Sequence, residues 1–180
     1  MKISDDTPLA TYHLALLSKN DKEAFLWYKK GADMGHLNSY CVTGFSYAEG
    51  LGTTQDIKKG MQIIKECADK YNDSLAQLEM GKWYFEGEIV AKDLDKALEY
   101  SQKSAEQGVM GGILIYAAAL MQKNDYDEAL PWMLLANKYG ASVDIEPIKE
   151  SFSKEDYAAA EEKFKELDGK IVMDKRFIRN

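Results

Sequence analysis

The feature that most constrains this chain is that it repeats itself. Four segments carry a small residue, an apolar or aromatic residue three positions on, a second small residue seven or eight on, and then Gly or Tyr. They run from Ala24 through Trp27 to Gly35, from Gly60 through Ile63 to Tyr71, from Ala97 through Tyr100 to Gly108, and from Ala129 through Trp132 to Gly140. Their leading small residues stand 36, 37 and 32 residues apart. A period of that length marks stacked supersecondary units. Within each segment the spacing places the small and aromatic residues on one face of a helix. The closing glycine tolerates positive φ and so ends it.

A second helical stretch precedes each segment. Tyr40, Gly44, Tyr47 and Gly50 correspond in type to Leu78, Gly81, Tyr84 and Gly87. The stretch from Gly112 to Lys123 keeps this register, with Ala117 and Leu120 in place of Gly and Tyr. The first stretch, Thr7 to Lys19, puts Tyr12 at the glycine position. Each unit is therefore a helix A, a loop and a helix B. Neither helix buries its apolar face alone, so stacking makes the core. Asp56 and Asp93 stand just before helix B in the two long units, where a carboxylate caps free N–H groups and suits the helix dipole.

The run from Gly44 to Gly60, with Gly50-Leu51-Gly52 in its loop, resembles the Sel1-like repeat. So do Ala76 to Gly87, Asp93 to Tyr100 and Ser104 to Gly108. The two outer units have a shorter loop and are similar to tetratricopeptide repeats. Local departures are Ile89 for the second loop glycine, Gly111-Gly112 at the start of a helix A, and Tyr71 for a closing glycine. The resemblance implies an all-α fold, a right-handed α-α superhelix (solenoid). It has about four repeats, at 7–36, 37–73, 74–110 and 111–141, within one domain spanning 1–169.

After Gly140 the pattern ends. Ile145 to Phe152 reads as a short helix. Ser153-Lys154-Glu155-Asp156 starts a charged amphipathic helix from Tyr157 to Leu167, stopped near Gly169. The capping helices thus fall within 144–168, where they seal the last repeat. Residues 170–180 read as a loosely attached tail.

The formal net charge is −7 and the sequence pI about 5.0. This argues against a general nucleic-acid binder, which concentrates Lys and Arg to neutralise phosphates. It leaves a basic partner attractive. Met1 to Pro8 holds Asp5, Asp6 and a proline where a signal peptide needs apolar residues, and no segment approaches the ~20 apolar residues of a membrane span. A cytoplasmic protein is expected. The only two cysteines, Cys41 and Cys67, lie in apolar helical contexts and read as buried free thiols.

Catalytic patterns are missing from the sequence. His13 and His36, the only histidines, fall in different units without Cys or carboxylate at metal-ligand spacing. No P-loop, nucleophile elbow or dinucleotide fingerprint occurs. Asp93-x-Asp95 and Asp125-x-Asp127 lack the remaining ligands of a calcium loop. The expectation is a protein without enzymatic activity, metal or cofactor.

Similarity to tetratricopeptide proteins implies a concave wall lined by the helices A. Carried through Tyr12, Gly44, Gly81 and Ala117, its positions are Leu9, His13, Leu16 and Leu17, then Asn38, Cys41, Phe45, Ala48 and Glu49. They continue with Leu78, Lys82, Phe85 and Glu86, then Leu114, Ala118, Met121 and Gln122. Leu9, Cys41, Leu78 and Leu114 are expected in the core. Phe45, Glu49, Lys82, Phe85, Glu86, Met121 and Gln122 are the candidate binding residues. They suit an amphipathic helix or extended peptide anchored by aromatics, with glutamates selecting a basic flank. Trp83 reads as a separate surface candidate, and Trp27, Tyr100 and Trp132 as packing residues.

The function implied is a non-catalytic protein-binding module, an adaptor or inhibitor. Alternatives are a bacterial immunity or regulatory protein that blocks a toxin or enzyme, and a small-ligand binder. A closed polar pocket beside Lys82 and His13 would favour the last.

Overall fold

The computed structural model describes residues 7–174, which hold ten helices and no strand. They form two compact units, divided between Asn72 and Asp73. The first contains α1 (Pro8–Leu16), α2 (Asp21–Asp33), α3 (Leu37–Glu49) and α4 (Ile57–Lys70). The second contains α5 (Ser74–Glu86), α6 (Leu94–Glu106), α7 (Met110–Gln122), α8 (Tyr126–Lys138), the single turn α9 (Glu146–Lys149) and α10 (Lys154–Lys170). The four A–B pairs of an α-solenoid are therefore all present, two in each unit. The readings of Met1 to Asp6 and of Phe177 fall outside the described residues.

Side-chain caps start most of these helices. Asp56 and Asp93 accept the N–H groups of Lys59 and Lys96 at 3.0 and 3.1 Å, as their positions suggest. Asp73 accepts from Ala76 at 2.8 Å, Asn20 from Glu23 at 2.9 Å, and His36 Nδ1 from the N–H of Ser39 at 3.2 Å. Gly50 and Gly87 close α3 and α5 in the left-handed region. Tyr71 itself does not take that conformation. The next residue does, Asn72 with φ of 54°, and Asn124 does the same after α7.

In the first unit, Ile64 and Cys67 of α4 are fully buried among Ala48, Ile63 and Ala68. Gly44 is buried where any side chain would strike Ile63 and Ile64, so glycine sets the close approach of α3 to α4. Gly44, Gly81 and Ala117 each lie seven residues into their helix. The residue seven into α1 is Ala15, which is buried, and not Tyr12. The first repeat is thus three residues out of the register read from its sequence. Tyr12 instead packs its ring against Tyr28 and His36, with centroids 5.7 and 5.1 Å away.

Cys41 and Cys67 are buried but not free. They form a disulfide joining α3 to α4, with Cα atoms 5.9 Å apart and the two cysteines 26 positions apart in sequence. The free-thiol reading fails because the two helices of one repeat present these positions to each other across their shared interface.

In the second unit a continuous core is built from Ile113, Tyr116 and Leu120 of α7, Leu130, Trp132 and Leu135 of α8, and Ala160 of α10. Tyr116 meets Trp132 edge-on at 5.2 Å. Tyr100 and Trp132 are buried as expected, whereas Trp27 is only half-buried and Phe25 takes the core position on α2. Trp83 is 2% exposed, a core residue and not a surface one. Helix α10 runs through Gly169 to Lys170, past the expected stop. The segment that follows is not loose over its described part. Ile171 and Met173 are buried in the same core, and the N–H of Asp174 donates to the Gly108 carbonyl at 3.0 Å.

Candidate functional site

The candidate residues fall on the helices A of both units. In the first unit, Phe45 is half-buried on α3 and Glu49 is exposed as its last residue. In the second, Lys82 and Phe85 are half-buried on α5 and Glu86 is exposed at its end. Met121 of α7 is half-buried against the core and Gln122 is exposed. Helices α5 and α7 pack on each other, with Gly111 leaving room for the Leu78 methyl groups. That packing brings Lys82, Phe85, Glu86, Met121 and Gln122 to one pair of neighbouring helices. His13 belongs to the first unit and Lys82 to the second.

The projected wall is more open at some positions than the sequence suggests. Leu9 and Leu114, expected in the core, are 56% and 36% exposed. Leu16 and Leu17 are exposed as well, the latter at 79%. Leu9, His13 and Leu16 lie on the side of α1 opposite the buried Thr11 and Ala15, so the described residues leave them exposed. Cys41 is buried and Leu78 half-buried.

Leu114 borders a cleft that the sequence reading did not find. It has a volume of about 510 Å³ and is lined by Met110, Gly111, Leu114, Tyr139, Gly140, Ala141, Ser142 and Val143. One wall is the first turns of α7. The other is the loop after α8, which Asn137 holds by a two-way amide bond to the Val143 backbone, 2.8 Å in each direction. Tyr139 donates its hydroxyl to Asp168 of α10 at 3.0 Å, and Lys138 pairs with the same carboxylate. Those contacts hold the Asp168 carboxyl below its ordinary range, Lys138 first. Gly140 at the end of α8 was the only local signal for this loop.

Glu49 and Glu86 share an electrostatic peculiarity. Each is the last residue of its helix, next to backbone carbonyls that carry the negative end of the helix dipole. Neither last turn contains a basic residue, and neither glutamate pairs with a described residue. By contrast, Lys82 has Glu79 within 3.9 Å and Lys92 stands 5.4 Å from the Phe85 ring centroid. Among the described residues, no group of three or more His, Cys, Asp or Glu is placed to hold a metal ion. No described helix is long and apolar enough to cross a membrane.

These features define a helical-repeat protein with open helix-A faces. The chain belongs to the Sel1 repeat family, which matches residues 9–36, 39–66 and 74–109. The pair α7 and α8 lies beyond these stretches and has the same two-helix build. The structure is similar to a Sel1 repeat protein from Oxalobacter formigenes, with a TM-score of 0.67 and 24% identity over 76% of this chain and 60% of that one. It is also similar to a protective antigen present in uropathogenic Escherichia coli strains that displays an SLR fold. There the TM-score is 0.75 and the identity 23%, over 91% of this chain and 38% of that one. A curated relative, the chitin synthase regulator SKT5 of Saccharomyces cerevisiae, is 26% identical over 141 residues. This chain spans 78% of its own length in that match but only 18% of the relative's.

Proposed function

We propose that the chain is a non-catalytic interaction module that binds a protein or peptide with a basic flank through its helix-A faces. Sel1 repeats are generally protein–protein interaction modules, and the reading builds on that family role. The observation that carries it is a glutamate at the end of α3, and again at the end of α5, that pairs with none of the described residues. At a helix C-terminus a negative charge costs stability, on the order of 0.3–1 kcal/mol. A feature that is locally unfavourable in two successive repeats is best explained by a partner that supplies the missing cation. Half-buried Phe45 on the first unit, and Phe85 with Met121 on the second, supply apolar contact beside these charges. The cleft beside Leu114 offers the second unit a place for an inserted side chain. Gln122 ends α7 as a neutral counterpart of the glutamates.

The roles of adaptor and of inhibitor both fit this chemistry, and the net charge of −7 suits a basic target of either kind. The Cys41–Cys67 bond supports residence in an oxidising compartment, against the cytoplasmic expectation, because reducing compartments keep thiols apart.

The test is the double variant Glu49→Lys/Glu86→Lys, compared with wild type in a cross-linked pull-down from the source cells. A partner captured by wild type should be lost at least tenfold. The variant's melting temperature should rise or stay level, because lysine suits a helix C-terminus. Undiminished capture by the variant removes these glutamates, and the face they mark, from the interaction.

A further inference from the structure

A second feature of the first unit stands apart from these glutamates. A recess of about 250 Å³ is lined by Ala32, Gly35, Leu37, Tyr40 and Tyr71. Tyr40 comes from α3, Tyr71 caps α4, and the other three come from the end of α2 and the turn into α3. The position of a Cβ on Gly35 meets nothing within 4 Å, so this side of the recess is open. Glu66 of α4 adjoins the recess through Tyr40. The Tyr40 hydroxyl donates to its carboxylate at 2.7 Å, which fixes both the ring and the charge.

Two phenol rings and one anchored carboxylate are the elements of a cation site. Ring faces attract positive charge through their quadrupole, and the carboxylate adds a full counter-charge. The chain itself shows that a cation is favoured there. The Lys70 ammonium group lies 3.3 Å from Glu66 and 5.1 Å from the Tyr71 ring centroid. Its side chain remains 64% exposed, so this is a solvent-screened pair of small net value and one that a better-placed cation can displace. The Glu66 carboxyl is held below its usual range, first by the Tyr40 hydroxyl and then by Lys70, and so keeps its charge in mildly acidic solution.

We propose that the Tyr40–Tyr71–Glu66 recess is a binding site for an alkylammonium group carried by a lysine-type side chain of a partner, with the chain's own Lys70 as the competing occupant. The acidic net charge draws such a group toward the molecule, and the two rings with Leu37 cover the apolar surface next to the nitrogen. The site contains none of the candidate residues from Phe45 to Gln122 and is tested with isolated cations.

The experiment is an NMR titration of the tyrosine ring resonances in the whole chain. The probes are tetramethylammonium and Nα-acetyl-Nε-trimethyl-lysine amide, whose quaternary ammonium groups read the ring walls because they carry no N–H. Removing the competitor by Lys70→Ala should tighten binding about two- to fivefold, the range that corresponds to one exposed cation–π contact. Adding Glu66→Gln, which keeps an acceptor for the Tyr40 hydroxyl, should abolish the gain, and Tyr71→Leu should remove saturable binding. The proposal is overturned if Lys70→Ala binds no tighter than wild type, or if the Glu66 charge makes no difference. Tighter binding of the lysine derivative supports a partner's side chain. Equal affinity for the two probes overturns that assignment in favour of a small free amine.

Discussion

Tyr40 and Tyr116 show how single residues of this chain feel their surroundings. Both phenols are pushed up to about 12, Tyr40 by burial and by its bond to the Glu66 carboxylate, Tyr116 by burial and by the charges of Glu128, Asp125 and Glu106. An acid whose pKa rises on folding keeps its proton longer in the folded state than in the unfolded one. The stability tied to it is complete below about pH 10, the unfolded value, and is lost as pH climbs toward 12. Followed by tyrosinate absorbance, Tyr40 and Tyr116 should therefore lose their protons late, at about 12, and Tyr28 and Tyr139 are shifted in the same direction, Tyr28 first by burial and Tyr139 first by its bond to Asp168. Tyr116→Phe should remove one lagging group and make the alkaline fall in melting temperature shallower. An unchanged titration curve would place Tyr116 in contact with water. At this scale the sequence was legible where chemistry is local. Asp56 and Asp93 cap their helices because an Asp at that position reaches its own backbone. The pairing of Cys41 with Cys67 was not legible, since it depends on which faces of two separate helices meet.

Helix existence followed from the period, and helix register did so less securely. Three residues turn a helix through about 300°, so a slip of three leaves nearly the same face exposed. For that reason Tyr12 could stand for Ala15 in the pattern while packing on a different neighbour. Trp83 was misplaced for a related reason. Apolar residues spread widely around α5, and a helix buried on more than one side has no single stripe to read. The end of the chain carries a sharper lesson. Gly108 has φ of 78°, and a Cβ there would run into the Val172 carbonyl and come within 2.8 Å of Met173 Cα. Gly108 was read as a helix stop, which it is. It is also the floor on which residues 171–174 lie. Gly108→Ala should cost about 1–2 kcal/mol from its backbone conformation alone, and it should also lift this segment. Urea denaturation checks the first effect. Faster protease cleavage after Lys170 checks the second, and unchanged cleavage would show that Ile171 and Met173 stay in place without the glycine.

On the scale of the whole chain, the family and the paired-helix build were both readable, because a repeated pattern reinforces itself from unit to unit as far as Gly140. The candidate face was readable only as a set of positions. Exposure at Leu9 and Leu114, and the cleft beside the α8–α9 loop, depend on which neighbours each helix has, and no single repeat encodes that. The link between α3 and α4 also has a mechanical meaning. A chain stretched between its two ends gives out length as its helices unravel, but the backbone enclosed by Cys41 and Cys67 stays a closed ring. With 26 residues withheld, the oxidised chain should extend roughly 90 Å less than the reduced one, at about 3.5 Å per residue. In an optical trap, adding a reductant should recover that length in full, and equal extensions before and after reduction would mean that the two sulfurs are not joined. Any machine that threads this chain from one end, whether a protease or a translocase, therefore meets a knot-like loop that only a change of redox state can open.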